Sequence, residues 1–253
     1  MPREYIDSMP DLHATWLSRL RRQRPLWPDT LPSQCAVCHR WPGPRICRDC
    51  RLRWAADSHR CQTCALPLPA MVSHCGACLA HPPRLAHCSA ALDYAYPWQD
   101  LITRYKFQAD LGLVRSLGRL MAEHPDIHHQ LQQCDALLPI PASDERLRER
   151  GFDHTLLLAQ SVTRQAGGPT LLSHVVQRQH IQLPQHSSSR AQRLRQLRSV
   201  FSVKAAQQSD IAGRKLLLLD DVMTTGATLD ALAACLLSAG AASVSAIVLA
   251  RTP

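Results

Sequence analysis

The C-terminal two-thirds of the chain shows two hydrophobic patterns, short uninterrupted apolar runs and longer stretches with helical spacing. The apolar runs predict strands at 89–96, 136–140, 215–219 and 243–250. The helically spaced stretches predict helices at 98–107, 111–123, 155–165 and 228–239. Because strands and helices alternate along the chain, we expect an α/β domain built on a parallel sheet with helices on its faces.

The patterns are weaker outside this alternating region. Residues 11–22 predict a short basic amphipathic helix, for which packing within the protein is favoured over contact with a membrane or DNA. The segment 178–198 is polar, basic and weakly periodic, which predicts a loop followed by a short helix. Proline clusters then divide the chain into an N-terminal helix and linker (1–34), a cysteine-rich unit (35–84) and the α/β domain (85–253).

Eight of the 11 cysteines form four C-x-x-C pairs: Cys35/Cys38, Cys47/Cys50, Cys61/Cys64 and Cys75/Cys78. A C-x-x-C turn offers two thiolates to one metal ion, and two such turns complete a tetrahedral zinc shell. Disulfides would need an oxidising compartment, and thioredoxin-like redox chemistry needs a single pair at the start of a helix. The sequence therefore predicts two structural zinc sites in a double zinc ribbon. The gaps between the pairs favour serial pairing, in which the first two C-x-x-C pairs bind one zinc ion and the last two bind the other. An interleaved pairing stays open.

Charge adds two expectations. The chain has 29 Lys and Arg against 20 Asp and Glu, a formal net charge of +9. Six arginines and two aspartates give residues 35–78 a charge of +4, which two zinc–thiolate sites of about −2 each would cancel. The ribbons are therefore interpreted as a scaffold. Residues 154–209 contain seven Arg and Lys and no acidic residue, so a phosphate-rich partner such as single-stranded DNA suits this stretch.

The sequence contains no sign of a membrane segment. No apolar run reaches the length of about 18 residues that a spanning helix needs. The first residues also lack the apolar segment of a secretory signal. We therefore expect a cytoplasmic protein without integral membrane association.

Candidate chemistry is concentrated at one strand-to-helix junction, 216–228 (LLLLDDVMTTGAT). The predicted strand delivers Asp220 and Asp221 to the carboxyl edge of the sheet, where α/β proteins bind ligands. The residues that follow are small or carry hydroxyl groups and open a helix: Thr224, Thr225, Gly226, Ala227 and Thr228. Backbone N–H groups there can converge on a phosphate, while the acids suit hydroxyl groups or Mg²⁺. A phosphorylated ribose presents this combination.

The junction resembles the 5-phosphoribosyl 1-diphosphate (PRPP) signature of type I phosphoribosyltransferases. Together with the four C-x-x-C pairs and PIPASDERLRERGFDH at 139–154, it resembles the ComF/GntX family. The resemblance implies a type I phosphoribosyltransferase-like sheet behind a double zinc ribbon, and an association with competence and DNA uptake.

The resemblance also implies roles for individual residues. Asp220 and Asp221 would contact the ribose hydroxyls directly or through Mg²⁺, and 224–228 would hold the 5-phosphate. Lys106 matches a family lysine. The implied diphosphate loop contains Arg146, Arg148, Arg150 and Gly151, for which a solvated helix face is the alternative. Gln185 and Arg193 fall in the flexible-loop region. The chain departs from the usual family residues at two places. Asp153-His154 stand where the family usually has Asn-Gln, and Gln196 stands where it usually has Asn.

Two functional classes fit these features. The first is a PRPP-binding module of DNA uptake that also handles single-stranded DNA, through the basic stretch. The second is an active phosphoribosyltransferase that moves phosphoribose from PRPP to an acceptor and releases diphosphate. No pattern of a purine, pyrimidine or amide-handling pocket identifies an acceptor, and no catalytic residue is assigned.

Overall fold

A computed structural model describes residues 33–55, 58–178 and 200–253. The expected helix at 11–22 lies outside these residues, as does all but the first residue of the stretch 178–198. The four predicted strands and four predicted helices of the α/β domain lie within them.

A five-stranded parallel sheet forms the centre of the molecule. Its strands are β1 (Cys88–Asp93), β2 (Ala136–Pro139), β3 (Thr170–Leu171), β6 (Lys215–Met223) and β7 (Ser243–Arg251). Their spatial order in the sheet is β1-β7-β6-β2-β3. β6 is flanked by two parallel partners and is apolar over Leu216–Leu219, as a strand covered on both faces requires. A separate antiparallel pair consists of β4 (Val176–Arg178) and β5 (Phe201–Val203).

Helices cover both faces of the sheet. Their bounds are α1 (Arg48–Trp54), α2 (Gly76–Ala80), α3 (Trp98–Phe107), α4 (Val114–Glu123), α5 (Pro125–Gln133), α6 (Asp144–Arg150), α7 (His154–Ala166) and α8 (Ala227–Ser238). Alternate side chains of β6 point to opposite faces, so Leu217 and Leu219 pack with α3, α4, α5 and α7. Leu216 and Leu218 pack with α8 on the other face. The expected layered α/β architecture is confirmed.

The two cysteine-rich units lie on opposite sides of the same sheet. Cys35, Cys47 and Cys50 belong to the core cluster that contains α3, α4, α5 and α7. The cysteines at 61, 64, 75 and 78 belong to the cluster that contains α8. The ribbons are therefore packed onto the domain and do not form a separate layer in front of it. None of the helices in the described part of the chain has the length and hydropathy that a membrane crossing requires.

Several boundaries differ from the sequence predictions. β6 runs four residues beyond its expected end and includes both acidic residues, because its ladder with β7 continues to Met223 and Arg251. The helix expected at 111–123 begins as a 3-10 turn, Leu111–Leu113, and becomes α-helical at Val114. Sequence patterns missed the two-residue β3 and the β4–β5 pair, since such short strands have no measurable periodicity.

Candidate functional site

The eight paired cysteines form two compact clusters. Cys35, Cys38, Cys47 and Cys50 bring their sulfur atoms within 4.8 Å of one another, as do Cys61, Cys64, Cys75 and Cys78. The closest sulfur pairs measured within them are 3.7–3.9 Å apart. The pairing is therefore serial, with neighbouring C-x-x-C turns sharing a cluster. The interleaved alternative is wrong.

Both clusters fit a tetrahedral zinc ion. Four sulfur atoms at about 2.3 Å from zinc are about 3.8 Å apart, which matches the measured separations. Backbone N–H groups face the sulfurs in the same way in both clusters, from Cys47 to Cys35 at 3.4 Å and from Cys75 to Cys61 at 3.4 Å. Such contacts stabilise thiolates, which are the form that binds a metal.

The protonation of the thiols follows from these contacts. Burial alone would raise the pKa of Cys35, but N–H groups of Cys38 and Cys47 lower it to about 6. Burial is likewise outweighed at Cys61, whose pKa falls to about 7. Burial and neighbouring sulfurs raise the pKa of Cys50 and of Cys78. Without a metal, each cluster therefore keeps part of its protons, and metal binding would release them.

The second candidate site lies near the carboxyl end of β6. Asp221 is buried, with 3% of its surface exposed, and its Oδ2 lies 2.8 Å from Lys106 Nζ and 2.8 Å from His154 Nε2. Asp220 is half-buried and its Oδ1 accepts a hydrogen bond from the backbone N–H of Asp221. α3 supplies Lys106 and α7 supplies His154, so two helices meet the strand at this carboxylate.

The two adjacent carboxylates differ in protonation. Burial and the charge of Asp221 raise the pKa of Asp220 above its ordinary value. Burial would also raise the pKa of Asp221, but contact with His154 and the charge of Lys106 lower it. Asp221 is therefore the more acidic carboxyl group of the pair, and Asp220 holds a proton more readily.

Arg150 joins this group by stacking. Its guanidinium carbon lies 4.7 Å from the centre of the Phe107 ring, and its Nη1 lies 3.0 Å from Nδ1 and 3.4 Å from Nε2 of His154. If Nη1 lay in the plane of the imidazole ring, it would be much closer to one ring nitrogen than to the other. Nη1 of Arg150 therefore lies over the face of the His154 ring and not in its plane.

The loop after β6 has the backbone of an anion-binding turn. Thr224 and Thr225 are exposed, Gly226 has φ +76°, and α8 begins at Ala227. A Cβ at Gly226 would come 2.4 Å from the Met223 Cε, the flexible end of that side chain, which would have to shift. The positive φ is the stronger reason for glycine at this position. The first turn of an α-helix leaves backbone N–H groups without intrahelical partners, and such groups can bind an anion. In this chain the first turn of α8 comes a few residues after the acidic pair.

Comparisons with known proteins identify the family of this chain. The model of the phosphoribosyl transferase domain matches residues 154–253. The DNA utilization protein YhgH of Escherichia coli strain K12 is 32% identical over 232 residues, covering 88% of this chain and 99% of the relative. Competence protein F of Haemophilus influenzae is 30% identical, covering 81% and 90%. Competence protein ComFC of Bacillus subtilis is 29% identical, covering 83% and 86%. The chain belongs to the ComF/GntX family.

The family's candidate residues meet only in part in this ComF/GntX protein. Lys106, Arg150 and Asp221 form one group, and the loop 224–228 follows from the same strand. Arg146 and Arg148 instead lie on the exposed face of α6, where no residue is buried. Both arginines are thus solvent-exposed, and their role in a diphosphate loop stays a prediction. Gln185, Arg193 and Gln196 lie outside the described residues.

The departure at 153–154 has a structural explanation. Asp153 caps α7, since its Oδ1 accepts a hydrogen bond from the backbone N–H of Leu156 at 2.9 Å. His154 contacts Asp221 through its ring, and its carbonyl accepts a hydrogen bond from the Tyr105 hydroxyl at 2.6 Å. The sequence showed the unusual Asp-His pair but not the contact partners, which lie far away along the chain.

A basic residue that the sequence analysis did not single out lies near Asp220. The pKa of Arg178 is lowered by burial and by the charge of Arg146, while the Asp220 carboxylate opposes both. Arg178 and Lys204 line a cavity of about 690 Å³ together with Asp153. β4 ends at Arg178 and β5 begins at Phe201, so the two strands precede and follow residues 179–199 in the chain.

Proposed function

We propose that this ComF/GntX protein binds PRPP at the carboxyl end of β6. The observation that supports the proposal most strongly is the order of features along the chain: a carboxylate pair of which Asp221 is buried and Asp220 half-buried, then a left-handed glycine, then the start of a helix. A phosphorylated ribose needs acceptors for its hydroxyl groups beside donors for its phosphate. Asp220 and Asp221 would accept from the ribose hydroxyls, and residues 224–228 would hold the 5-phosphate.

Cations around the carboxylates suit the diphosphate group. Lys106 Nζ is 2.8 Å from Asp221 and would move to a diphosphate oxygen when the ribose hydroxyls engage the carboxylate. Arg150 is a second cation in the same group and suits bidentate contact with phosphate oxygens. Asp220 would hold Mg²⁺, which neutralises diphosphate charge when bound and lowers the pKa of the carboxylate that contacts it.

Zinc is the metal proposed for both cysteine clusters. Four thiolates at tetrahedral spacing leave no open coordination position, which is typical of structural zinc. All of these cysteines except Cys38 are buried. Since both clusters pack into the sheet cores, we infer that zinc stabilises the whole domain and not only the ribbons.

The biological role that we infer is DNA uptake with handling of single-stranded DNA in the cytoplasm. The names of the relatives, a DNA utilization protein and two competence proteins, support it. The +7 charge without an acid over residues 154–209 supplies the electrostatic basis for phosphate-backbone binding.

Calorimetric titration with PRPP and Mg²⁺ tests the ligand. The double variant Asp220→Asn, Asp221→Asn should weaken PRPP binding by about two orders of magnitude, because two charge-assisted hydrogen bonds worth about 1.5–3 kcal/mol each are lost. Asp49→Asn, which removes an exposed carboxylate on the first ribbon, is the matched control and should bind normally. Equal affinity in the double variant, with native circular dichroism, would refute the site.

A second measurement separates binding from catalysis. The wild type is incubated with PRPP, Mg²⁺ and a panel of bases and amines, and released diphosphate is measured. Diphosphate release that depends on one acceptor would identify an active phosphoribosyltransferase, the alternative that the carboxylate pair also permits.

A further inference from the structure

The second cysteine cluster is attached to the sheet through one buried arginine. Arg251, the last residue of β7, is 8% exposed and donates from Nε to the carbonyl of Cys64 at 2.9 Å. Its Nη1 donates to the carbonyl of Met223 at 3.3 Å. One guanidinium therefore bridges a metal-ligand residue and the last residue of β6. A buried guanidinium needs such acceptors, since an unpaired charge removed from water is strongly destabilising.

Met223 is the floor of the proposed phosphate loop. Its Cε lies below Gly226, its Sδ is 3.7 Å from the Cys88 sulfur, and its carbonyl accepts a second hydrogen bond from the Thr252 N–H at 3.1 Å. Thr252 Oγ1 also accepts from Arg251 Nη1 at 2.9 Å. Arg251 is thus the group that connects Met223 to the second cluster, beside the Thr252 N–H and the Cys88 sulfur, which also hold Met223.

The first cluster has no comparable connection among the described residues. Its ribbon is held by Trp98 Nε1, which donates to the Trp54 carbonyl at 2.7 Å, and by the ion pairs Arg45–Asp110 and Arg51–Glu123. These contacts reach α3, α4 and the turn between them, on the opposite face of the sheet from Arg251 and α8. The two metal clusters should therefore differ in their effect on the loop.

We propose that Arg251 is a positioning residue, which makes the loop 223–228 depend on the metal-loaded state of the second cluster. Loss of that metal frees the segment around Cys64, so the Arg251 guanidinium loses its Cys64 acceptor and reorients. Met223, which lies under Gly226, is then held less firmly. The expected consequence, weaker phosphate binding, rests on the proposed function. The coupling between the second cluster and the loop does not depend on it. By linkage, a phosphorylated ligand on the loop raises the affinity of the second cluster for its metal by the same factor.

Hydrogen exchange of the peptide that contains 223–228 tests the coupling on the full-length, metal-loaded protein. Cys78→Ser disables the second cluster and Cys50→Ser is the matched change in the first. We expect about tenfold faster loop exchange in Cys78→Ser and unchanged loop exchange in Cys50→Ser. Equal acceleration in both variants, or in neither, would overturn the proposal.

Arg251→Lys is the decisive variant if Cys78→Ser loses protection throughout β6 and β7. The lysine keeps the charge but cannot donate to Cys64 and Met223 at once. We expect it to retain both metal ions and the sheet's protection while loop exchange rises and PRPP binds about tenfold more weakly. A protected loop in Arg251→Lys refutes the coupling. If the wild type fails to bind PRPP, the proposed function falls, and the loop exchange still decides the role of Arg251.

Discussion

The most informative single residue is Asp220, since its carboxyl group is held in a setting that disfavours its charge. Its neighbour Asp221 is stabilised as an anion by His154 and Lys106. The negative charge of Asp221 therefore opposes ionisation of Asp220. Such unfavourable charge at a binding site is offset only when a cation or a hydroxyl-bearing ligand arrives.

Asp220→Asn should therefore stabilise the ligand-free protein at alkaline pH. A carboxyl whose pKa is raised by folding stabilises the native state fully below its unfolded pKa, and this contribution is lost as pH rises through the folded pKa. We expect the variant to gain about 1 kcal/mol, or about 2–4 °C, at pH 9 without Mg²⁺ and to gain nothing at pH 4. Thermal unfolding at both pH values measures the difference. A gain of equal size at pH 4 would contradict the charge-based explanation.

Gly226 is the second decisive residue. An alanine there would take on a φ of +76° and meet the Met223 Cε, so Gly226→Ala should cost about 1–2 kcal/mol in unfolding free energy and also weaken PRPP binding. Gly213→Ala is the matched control, because Gly213 has φ +72° but open space around its missing Cβ. Denaturation and titration of both variants separate backbone strain from loop geometry. If both lose PRPP affinity equally, the loop is not the phosphate site.

At the scale of elements, each ribbon is a pair of C-x-x-C turns closed by a short helix. Cys47 and Cys75 are the N-cap residues of α1 and α2, and their sulfurs accept from the N–H groups of Cys50 and Cys78. These helices have only seven and five residues, too few for independent stability in water. Their persistence must come from the metal and from packing against the sheet.

Metal analysis of protein purified without chelator should accordingly give two zinc ions per chain. Cys50→Ser should lower the content to one, because serial pairing makes the clusters independent in composition. Chelation of both metals should unfold the ribbons and lower the thermal stability of the domain. One zinc ion in the wild type would contradict the eight-ligand assignment.

At the scale of the whole molecule, the positive charge is uneven. Arg190, Arg193, Arg195 and Arg198 fall within nine residues outside the described part of the chain, whereas several arginines of the first ribbon form ion pairs. The basic stretch is therefore the part of the sequence that most favours contact with a phosphate backbone.

Single-stranded DNA should bind weakly, without sequence preference and with a steep salt dependence. If about four phosphates are neutralised, log K should fall with log salt at a slope near −3. Replacing the four arginines with Gln should flatten that slope and leave PRPP binding intact, as measured by fluorescence anisotropy across salt concentrations.

The control replaces four exposed arginines elsewhere, Arg40, Arg48, Arg53 and Arg119, so that net charge is matched. An unchanged slope in the first variant, together with a loss of PRPP affinity, would show that the stretch closes over the ligand instead of binding DNA.

The sequence by itself determined the local features of this protein. C-x-x-C spacing fixes two thiolates on one turn, apolar runs mark buried strands, and a glycine before a helix start marks the loop, because each depends on residues close together in the chain. The pairing of cysteines, the exposure of Arg146 and Arg148, and the meeting of Lys106 and His154 at Asp221 were decided only by tertiary structure. So was the link from Cys64 through Arg251 to Met223, whose members are 187 and 28 residues apart. Such contacts depend on strand order and on which helix covers which face, and no local pattern in the sequence specifies either.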